Sequence, residues 1–194
     1  MGDKSLQKQQ YIVETARKVF VEKGFIDVTM KDIVEACEIS RGGLYLYFGS
    51  TEEVFAEVLK LQQESDDGFE ESIGKEAAAS QVLALFLKEQ KKDILRKKNN
   101  LTVAIYEYFF HHKIPKKDHI LRKQFDAGVM IITRLIETGV DTGEFYCDYP
   151  RETARNMMYV IEGLKATAHT TGISEAAIDR EFLFLMQGLI IEDE

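Results

Sequence analysis

The sequence predicts an all-α protein of about nine helices. Its 194 residues contain only two prolines, and proline is the residue that a helix interior tolerates least. Apolar residues recur three and four positions apart along most of the chain, which is the spacing of helices with one buried face. Hydrophobic residues make up 45% of the chain, so we expect a core of ordinary size shared by one or two domains.

Three helices are predicted in residues 1–50. Gly24 closes the first helix as a left-handed cap. Thr29 caps the second helix, which runs from Met30 to about Cys37. The third is short, starting at Ser40 and ending near Phe48. Two short helices joined by a tight turn form a helix-turn-helix over residues 29–48, and we take residues 1–50 as an N-terminal domain.

The remainder, residues 51–194, predicts a larger helical domain. Ser50 and Glu53 have the spacing of a capping box before the fourth helix, and Pro150 stands where proline favours the first turn of a helix. The predicted helices run from Glu52 to Phe69 or Ile73, Ala77 to Arg96, Leu101 to His112, Pro115 or Asp118 to Asp141, Pro150 to Thr170, and Ala177 to Ile191.

Composition argues against several classes of protein. The chain has no apolar stretch long enough to span a membrane and no export signal at its start, so we expect a cytoplasmic protein. Cys37 and Cys147 lack metal-ligand spacing, and the adjacent His111 and His112 do not share a helix face. We therefore expect no metal and no cofactor. Because no nucleophile–base pair is evident either, we do not expect an enzyme.

The charge balance restricts binding to nucleic acid. The net charge is −8, and within residues 1–60 ten carboxylates outnumber eight lysines and arginines. DNA responds to the local face that docks on phosphate rather than to the whole chain. A DNA-binding surface therefore requires that the acidic side chains point away from one basic or neutral face.

The most informative stretch is Thr29 to Val54. Its second short helix carries Gly42 and Gly43, and each glycine lowers helix stability by about 1 kcal/mol relative to alanine. Small residues at the start of a recognition helix allow that helix to approach base edges in the major groove. The two glycines therefore indicate a site shaped for close approach.

At these residues the sequence resembles the TetR family of bacterial transcriptional regulators. The positions that agree are Thr29, Ile33, Ala36, Ile39, Ser40, Gly42, Leu44, Tyr45, Tyr47 and Phe48. The resemblance implies a sequence-specific DNA-binding regulator, a repressor released from a palindromic operator by a small, largely apolar effector. It also implies a homodimer.

Carried over by position, the resemblance assigns DNA contacts to ten residues. They are Thr29, Met30, Lys31, Ser40, Arg41, Gly42, Gly43, Tyr45, Tyr47 and Thr51. Arg41 could bind a guanine edge with two hydrogen bonds. Three positions depart from the family pattern: Glu38 replaces the turn glycine, Thr51 replaces a lysine, and Leu46 replaces a polar residue. We expect Leu46 to belong to the core.

The C-terminal domain is expected to bind the effector and to form the dimer. The run from Ile105 to Phe110 is too aromatic for one buried stripe, so it is either simple core or part of a ligand pocket. The pocket residues would be Phe86, Tyr106, Phe109, Phe110, Phe125 and Tyr159. Residues 150–194 would form the interface, through Met158, Ile161, Leu164, Phe182, Leu185, Met186 and Leu189.

Two alternatives remain at this stage. One is a helical adaptor or small-molecule-binding protein that has lost DNA binding, which Glu38, Thr51 and the acidic balance favour. The other is an enzyme with an aromatic pocket, for which the sequence supplies no catalytic group. Salt-dependent binding to DNA distinguishes the regulator from the adaptor.

Overall fold

The computed structural model describes residues 3–66, 77–96, 100–115 and 119–189. Within these ranges all the regular elements are α-helices, nine in number, so the predicted fold class is confirmed. The helices are α1 Asp3–Lys23, α2 Met30–Cys37, α3 Arg41–Tyr45, α4 Thr51–Asp66, α5 Ala79–Leu95, α6 Thr102–His111, α7 Ile120–Asp141, α8 Pro150–Thr170 and α9 Glu175–Gln187.

The helices separate into two compact units. Unit 1 contains α1 to α4 together with α6, and unit 2 contains α5 and α7 to α9. The predicted boundary at residue 50 does not coincide with this division, since α4 and α6 both belong to the unit that carries the helix-turn-helix.

An aromatic cluster explains why α4 and α6 belong to unit 1. The ring of Phe55 on α4 lies 4.7 Å from Phe20 and 5.0 Å from Phe25, centroid to centroid. Tyr108 on α6 lies 5.0 Å from Phe25 and 5.1 Å from Phe55. Aromatic pairs in such tilted and edge-to-face arrangements stabilise a core beyond the area they bury. The cluster therefore joins helices that are far apart in sequence.

Unit 2 is built around the pairing of α7 with α8. The core side chains that are fully or almost fully buried are Leu83, Ile132, Ile136, Met157, Ile161, Ile178 and Leu189. The turn after α7 requires a glycine. A Cβ at Gly139 would lie 2.1 Å from the ring of Phe145, so the chain can fold back against the end of α7 only because residue 139 has no side chain.

A carboxylate from the α7–α8 connection caps α5. Ala78, at the N-cap position, provides no side-chain hydrogen bond. Instead Glu144 accepts hydrogen bonds from the backbone N–H groups of Ala79 (3.1 Å) and Ser80 (3.0 Å) and from the Ser80 hydroxyl (2.7 Å). These donors, the Ser80 backbone first, lower the pKa of Glu144 to about 2. The negative charge also lies favourably at a helix N-terminus.

Several helix ends differ from the sequence prediction. The third helix ends at Tyr45 because the N–H groups of Tyr47 and Phe48 both turn to the Leu44 carbonyl, which directs Phe48 into the core. α7 begins at Ile120 after His119 rather than at Pro115, and Asp118 lies outside the described residues. The predicted continuations of α4 beyond residue 66 and of α9 beyond residue 189 also lie outside them.

We expect the free energy of unfolding to fall at acidic pH because Glu144 becomes protonated there. Folding lowers its pKa from the ordinary value of 4.5 to about 2, so its contribution is complete above pH 4.5 and is lost as the pH falls towards 2. Glu144→Gln should therefore lose less stability than wild type between pH 5 and pH 3, measured as the urea midpoint. Glu137→Gln, an exposed substitution on α7, serves as the control. Equal losses in wild type and Glu144→Gln would contradict the assignment.

Candidate nucleic-acid interface

A capping box fixes the start of α2. The Asp32 N–H donates to Thr29 Oγ1 (3.3 Å), while Asp32 Oδ2 accepts from the Thr29 N–H (2.8 Å) and hydroxyl (2.5 Å). Lys23 Nζ lies 2.5 Å from Asp32 Oδ1. The Lys23 ammonium, followed by the Thr29 hydroxyl, holds the pKa of Asp32 well below its usual range. The capping box sets the position at which Met30 and Lys31 begin the helix.

The same capping box gives Thr29 a structural role. Its hydroxyl donates to Asp32, so Thr29 places the start of α2, and its contact with DNA stays a prediction. Lys31, the cation among the predicted contacts at this end, points outward, with its side chain 82% exposed.

Ser40 fixes the start of α3. Its Oγ accepts a hydrogen bond from the Gly43 N–H at 3.1 Å, as an N-cap side chain does. Packing does not require a glycine at position 42, because a Cβ at Gly42 would meet no described atom within 4 Å. The position is open surface, so the low helix propensity of Gly42 is consistent with close approach by another molecule.

Four predicted contact residues line one depression on unit 1. It has a volume of about 190 Å³ and is lined by Met30, Lys31, Val34, Arg41 and Tyr45. The Arg41 guanidinium carbon lies 5.5 Å from the centroid of the Tyr45 ring, a cation–π contact that restrains an otherwise exposed side chain. Lys31 lies 3.6 Å from Glu35, a pair that water screens strongly. Two cations from different helices therefore flank one concave surface.

The turn between α2 and α3 is strained. Glu38 has φ 53 and ψ 39, and it is the one residue other than glycine with positive φ in the described parts of the chain. An L-residue with a Cβ occupies this left-handed region at a cost of about 1 kcal/mol. Glu38, which stands in place of the family's turn glycine, thus adopts the conformation that glycine favours, and it is an exposed residue.

The prediction for Leu46 is wrong. Leu46 was expected in the core, yet 83% of it is exposed. It continues the helical turn of α3, donating its N–H to the Gly42 carbonyl at 3.2 Å, and so shares the outward face of Gly42 rather than the inward face of Leu44.

The remaining predicted contacts, two tyrosines and a threonine, differ in exposure and in hydrogen bonding. Tyr45 is exposed and Tyr47 is half-buried. Thr51 begins α4, where its hydroxyl donates to Glu52 Oε2 at 3.3 Å. The Glu53 carboxylate accepts from the Gly49 N–H at 2.6 Å, so this capping interaction reaches one residue further back than the sequence predicts.

A residue on α6, outside the predicted contact set, fixes the turn that follows α1. Oε2 of Glu107, on α6, accepts hydrogen bonds from the backbone N–H groups of Phe25 (2.5 Å) and Ile26 (3.2 Å). A Cβ at Gly24, where φ is +78, would lie 2.5 Å from the same oxygen. Glu107 thus fastens α6 to the turn that follows α1. The partners are about eighty residues apart in sequence, so no local signal marks them.

The six predicted effector-binding residues are divided between the two units. In unit 1, α6 carries Tyr106 and Phe110 with ring centroids 6.4 Å apart, and Phe109 lies 5.3 Å from Tyr108. In unit 2, Phe125 and Tyr159 are 5.0 Å apart, whereas Phe86 is buried. The larger groove found in unit 2, about 410 Å³ between α5 and α9, is lined by Ala84, Leu87, Lys88, Lys91, Asp179, Phe182, Leu183 and Met186, none of which was predicted for the pocket.

The predicted dimer residues differ in burial along α8 and α9, and their place in an interface stays a prediction. Most of them are buried inside unit 2 because they pack among its own helices: Met158, Ile161, Leu164, Phe182 and Leu189. Leu185 and Met186 are half-buried. The apolar side chains that these helices expose are Tyr159, Leu183 and Phe184, at 62%, 55% and 61%.

Within the described residues, no group of three or more His, Cys, Asp or Glu side chains is arranged to hold a metal ion. Within the same ranges, no helix combines the length and apolar character needed to cross a membrane.

Comparison with known families gives two matches. Residues 12–58 match the family model described as bacterial regulatory proteins, tetR family. Residues 82–179 match the model described as tetracyclin repressor-like, C-terminal domain. Together the two matches include the helix-turn-helix and much of unit 2.

Full-length relatives agree with these matches. The chain is 31% identical over 184 residues to YfiR, an uncharacterized HTH-type transcriptional regulator of Bacillus subtilis, covering 88% of both chains. It is 23% identical to the HTH-type transcriptional repressor AcnR of Corynebacterium glutamicum, covering 90% of both.

Solved structures share the fold. A TetR transcription regulator from Haloarcula marismortui superposes with a TM-score of 0.80 at 15% identity, covering 95% of this chain and 99% of the other. A protein from Saccharomonospora viridis, crystallised with choline, superposes with a TM-score of 0.81 at 19% identity, covering 96% and 99%.

We expect Glu38→Gly to raise the free energy of unfolding by about 1 kcal/mol, because glycine adopts positive φ without the steric penalty of a Cβ. Urea unfolding at pH 7 measures the change. Glu38→Gln retains the Cβ while removing the charge, so it should leave the unfolding free energy near that of wild type. An equal gain in both variants would assign the effect to charge instead of backbone strain.

Proposed function

Because the chain belongs to the tetR family of bacterial regulatory proteins, it is a DNA-binding transcriptional regulator, and we propose that α2 and α3 form its operator-binding surface. The depression lined by Met30, Lys31, Arg41 and Tyr45 carries this proposal. It brings two cations and an exposed ring from two helices to one face, which is the arrangement that phosphate and base-edge contacts require.

Each part of that face has a distinct role in the proposal. Arg41, held over Tyr45, is positioned to donate two hydrogen bonds to a guanine edge. Lys31 and Tyr45 contact phosphate, as do the hydroxyls of Ser40, Tyr47 and Thr51, and fix the register of the protein on the duplex. Gly42 and Gly43 allow α3 to enter the major groove closely.

We propose that the regulator acts as a homodimer on a palindromic operator. A single α3 of five residues reads too few base pairs to distinguish one site from the rest of a genome. Two copies that contact half-sites one turn of DNA apart double the number of base pairs that are read. The interface consists of α8 and α9 through their exposed side chains, Tyr159, Leu183 and Phe184. Gly163, where a Cβ would meet no described atom within 4 Å, lets a partner helix approach.

Binding of a small, largely apolar effector releases the repressor in this proposal. The choline in the Saccharomonospora viridis protein supports a small organic ligand in this fold, and the exposed ring of Phe110 on α6 offers apolar surface within unit 1. Within unit 1, any displacement of α6 is passed to the turn before α2 through Glu107. The recognition helices of a dimer must lie about 34–36 Å apart, so a small displacement lowers affinity.

The adaptor hypothesis is the second candidate, and Glu38 is the observation that favours it. An exposed carboxylate at the turn between α2 and α3 opposes approach to phosphate. In a chain of net charge −8, binding to DNA depends on the few cations that the face retains, and their removal distinguishes the two hypotheses.

Two substitutions test the proposed face through the salt dependence of binding to a random-sequence duplex. On a random-sequence duplex Arg41 lacks its guanine, so its guanidinium, like the Lys31 ammonium, neutralises phosphate. Lys31→Ala and Arg41→Ala should therefore each reduce the slope of log affinity against log salt concentration by about 1. Fluorescence anisotropy between low and physiological salt measures this slope. Lys123→Ala, which removes the same charge from α7, is the matched control and should leave it unchanged. Equal slopes in all four proteins would support the adaptor.

The dimer proposal is tested on α9. Leu183→Glu or Phe184→Glu should weaken self-association by about 2 kcal/mol or more, because each places a charge where an apolar side chain is proposed to be desolvated. Sedimentation velocity should show a shift from a dimer towards one 22.2 kDa chain. Met130→Glu, at a 51% exposed position on α7, should remain dimeric. A wild-type protein that sediments as a monomer would contradict the proposal.

A further inference from the structure

Leu46 is an apolar side chain without a structural role in the described residues. It is 83% exposed, against 44% for the neighbouring Tyr45. Its backbone has φ −70 and ψ −22, and its N–H donates to the Gly42 carbonyl. Leu46 is thus the C-cap residue of α3. Its backbone is helical, and most of its side chain is exposed.

The surface in front of Leu46 is clear. Gly42 lies one turn earlier on the same helix face, and a Cβ there would meet no described atom within 4 Å. On the adjoining stripe, Arg41 lies over the ring of Tyr45. The outward side of α3 therefore presents a cationic and aromatic stripe beside an apolar one that ends in Leu46.

The apolar stripe selects a particular chemical group on DNA. Leucine can donate and accept no hydrogen bond, so it gains nothing from phosphate or from the polar edges of the bases. The only apolar group that the major groove presents is the C5-methyl of thymine. A leucine on the exposed face of a recognition helix therefore has one favourable contact there.

We propose that Leu46 is a specificity-determining residue that reads the C5-methyl of one thymine in each half-site. The inference rests on the proposed operator-binding surface and deepens it. Arg41 supplies hydrogen-bond recognition, and Leu46 supplies apolar recognition at a neighbouring base pair. Because Leu46 is so exposed in the free protein, its truncation should change the sequence preference without unfolding the chain.

Selection from a randomised duplex library tests the inference. Wild type should enrich a palindrome with thymine at one fixed position in each half-site. Leu46→Ala should enrich the same palindrome with that position relaxed, and Leu46→Met, which keeps an apolar side chain of similar reach, should retain the thymine. Leu6→Ala, at a 51% exposed position on α1, is the matched control and should select as wild type does.

Replacing that thymine with uracil in the selected duplex removes only the methyl group. Wild type and Leu46→Met should lose about fourfold in affinity per half-site, the factor for exposing one CH₂-sized group, while Leu46→Ala should be indifferent. If wild type enriches no sequence, the operator-binding proposal itself fails and the inference with it. If wild type enriches a palindrome but Leu46→Ala shares every preference and the same response to uracil, only the inference is overturned.

Discussion

The attachment of α6 to the end of α1 is the constraint on which unit 1 depends. Two backbone N–H groups follow the left-handed Gly24, and both donate to the Glu107 carboxylate. The Phe25 bond is partly buried, and leaving a buried donor unpaired costs about 1–3 kcal/mol. Phe25, beside them, packs against rings from α4 and α6. The helix-turn-helix therefore has as its base a surface made by residues from well outside the motif.

The sequence separation between interacting residues explains which contacts could be predicted from the sequence. The caps at Thr29 and Ser40 bond to residues three positions on, so the start of α2 and α3 could be predicted from local pattern. Glu107 and Glu144 each serve as caps for N–H groups more than sixty residues away, and nothing nearby in sequence marks them. The burial of Ile161 and Leu189 and the exposure of Leu46 depend on how helices pack, and helical periodicity alone did not determine them.

The net negative charge is compatible with the proposed DNA-binding face because acidic side chains near it already bind donors within unit 1. Asp32 is paired with Lys23 and used in the α2 cap, and Glu53 binds the Gly49 N–H at the start of α4. A carboxylate whose oxygens are engaged by donors projects less negative potential towards an approaching phosphate than a free one. Glu38 stands apart, since it adds an exposed charge at the turn.

Two residues in the helix-turn-helix lower stability, and neither is required by the packing of the described residues. Gly42 weakens a five-residue helix although a side chain would fit there, and Glu38 holds a left-handed conformation that glycine would adopt freely. Such departures from local preference are concentrated where function sets the sequence. For Gly42 the proposed function is close approach to the major groove. The exposed charge of Glu38 lowers the attraction to phosphate, which does not depend on DNA sequence. With few cations and an acidic turn, the proposed operator-binding surface would depend more on the base contacts proposed for Arg41 and Leu46, and on the proposed second copy, than on general attraction to DNA.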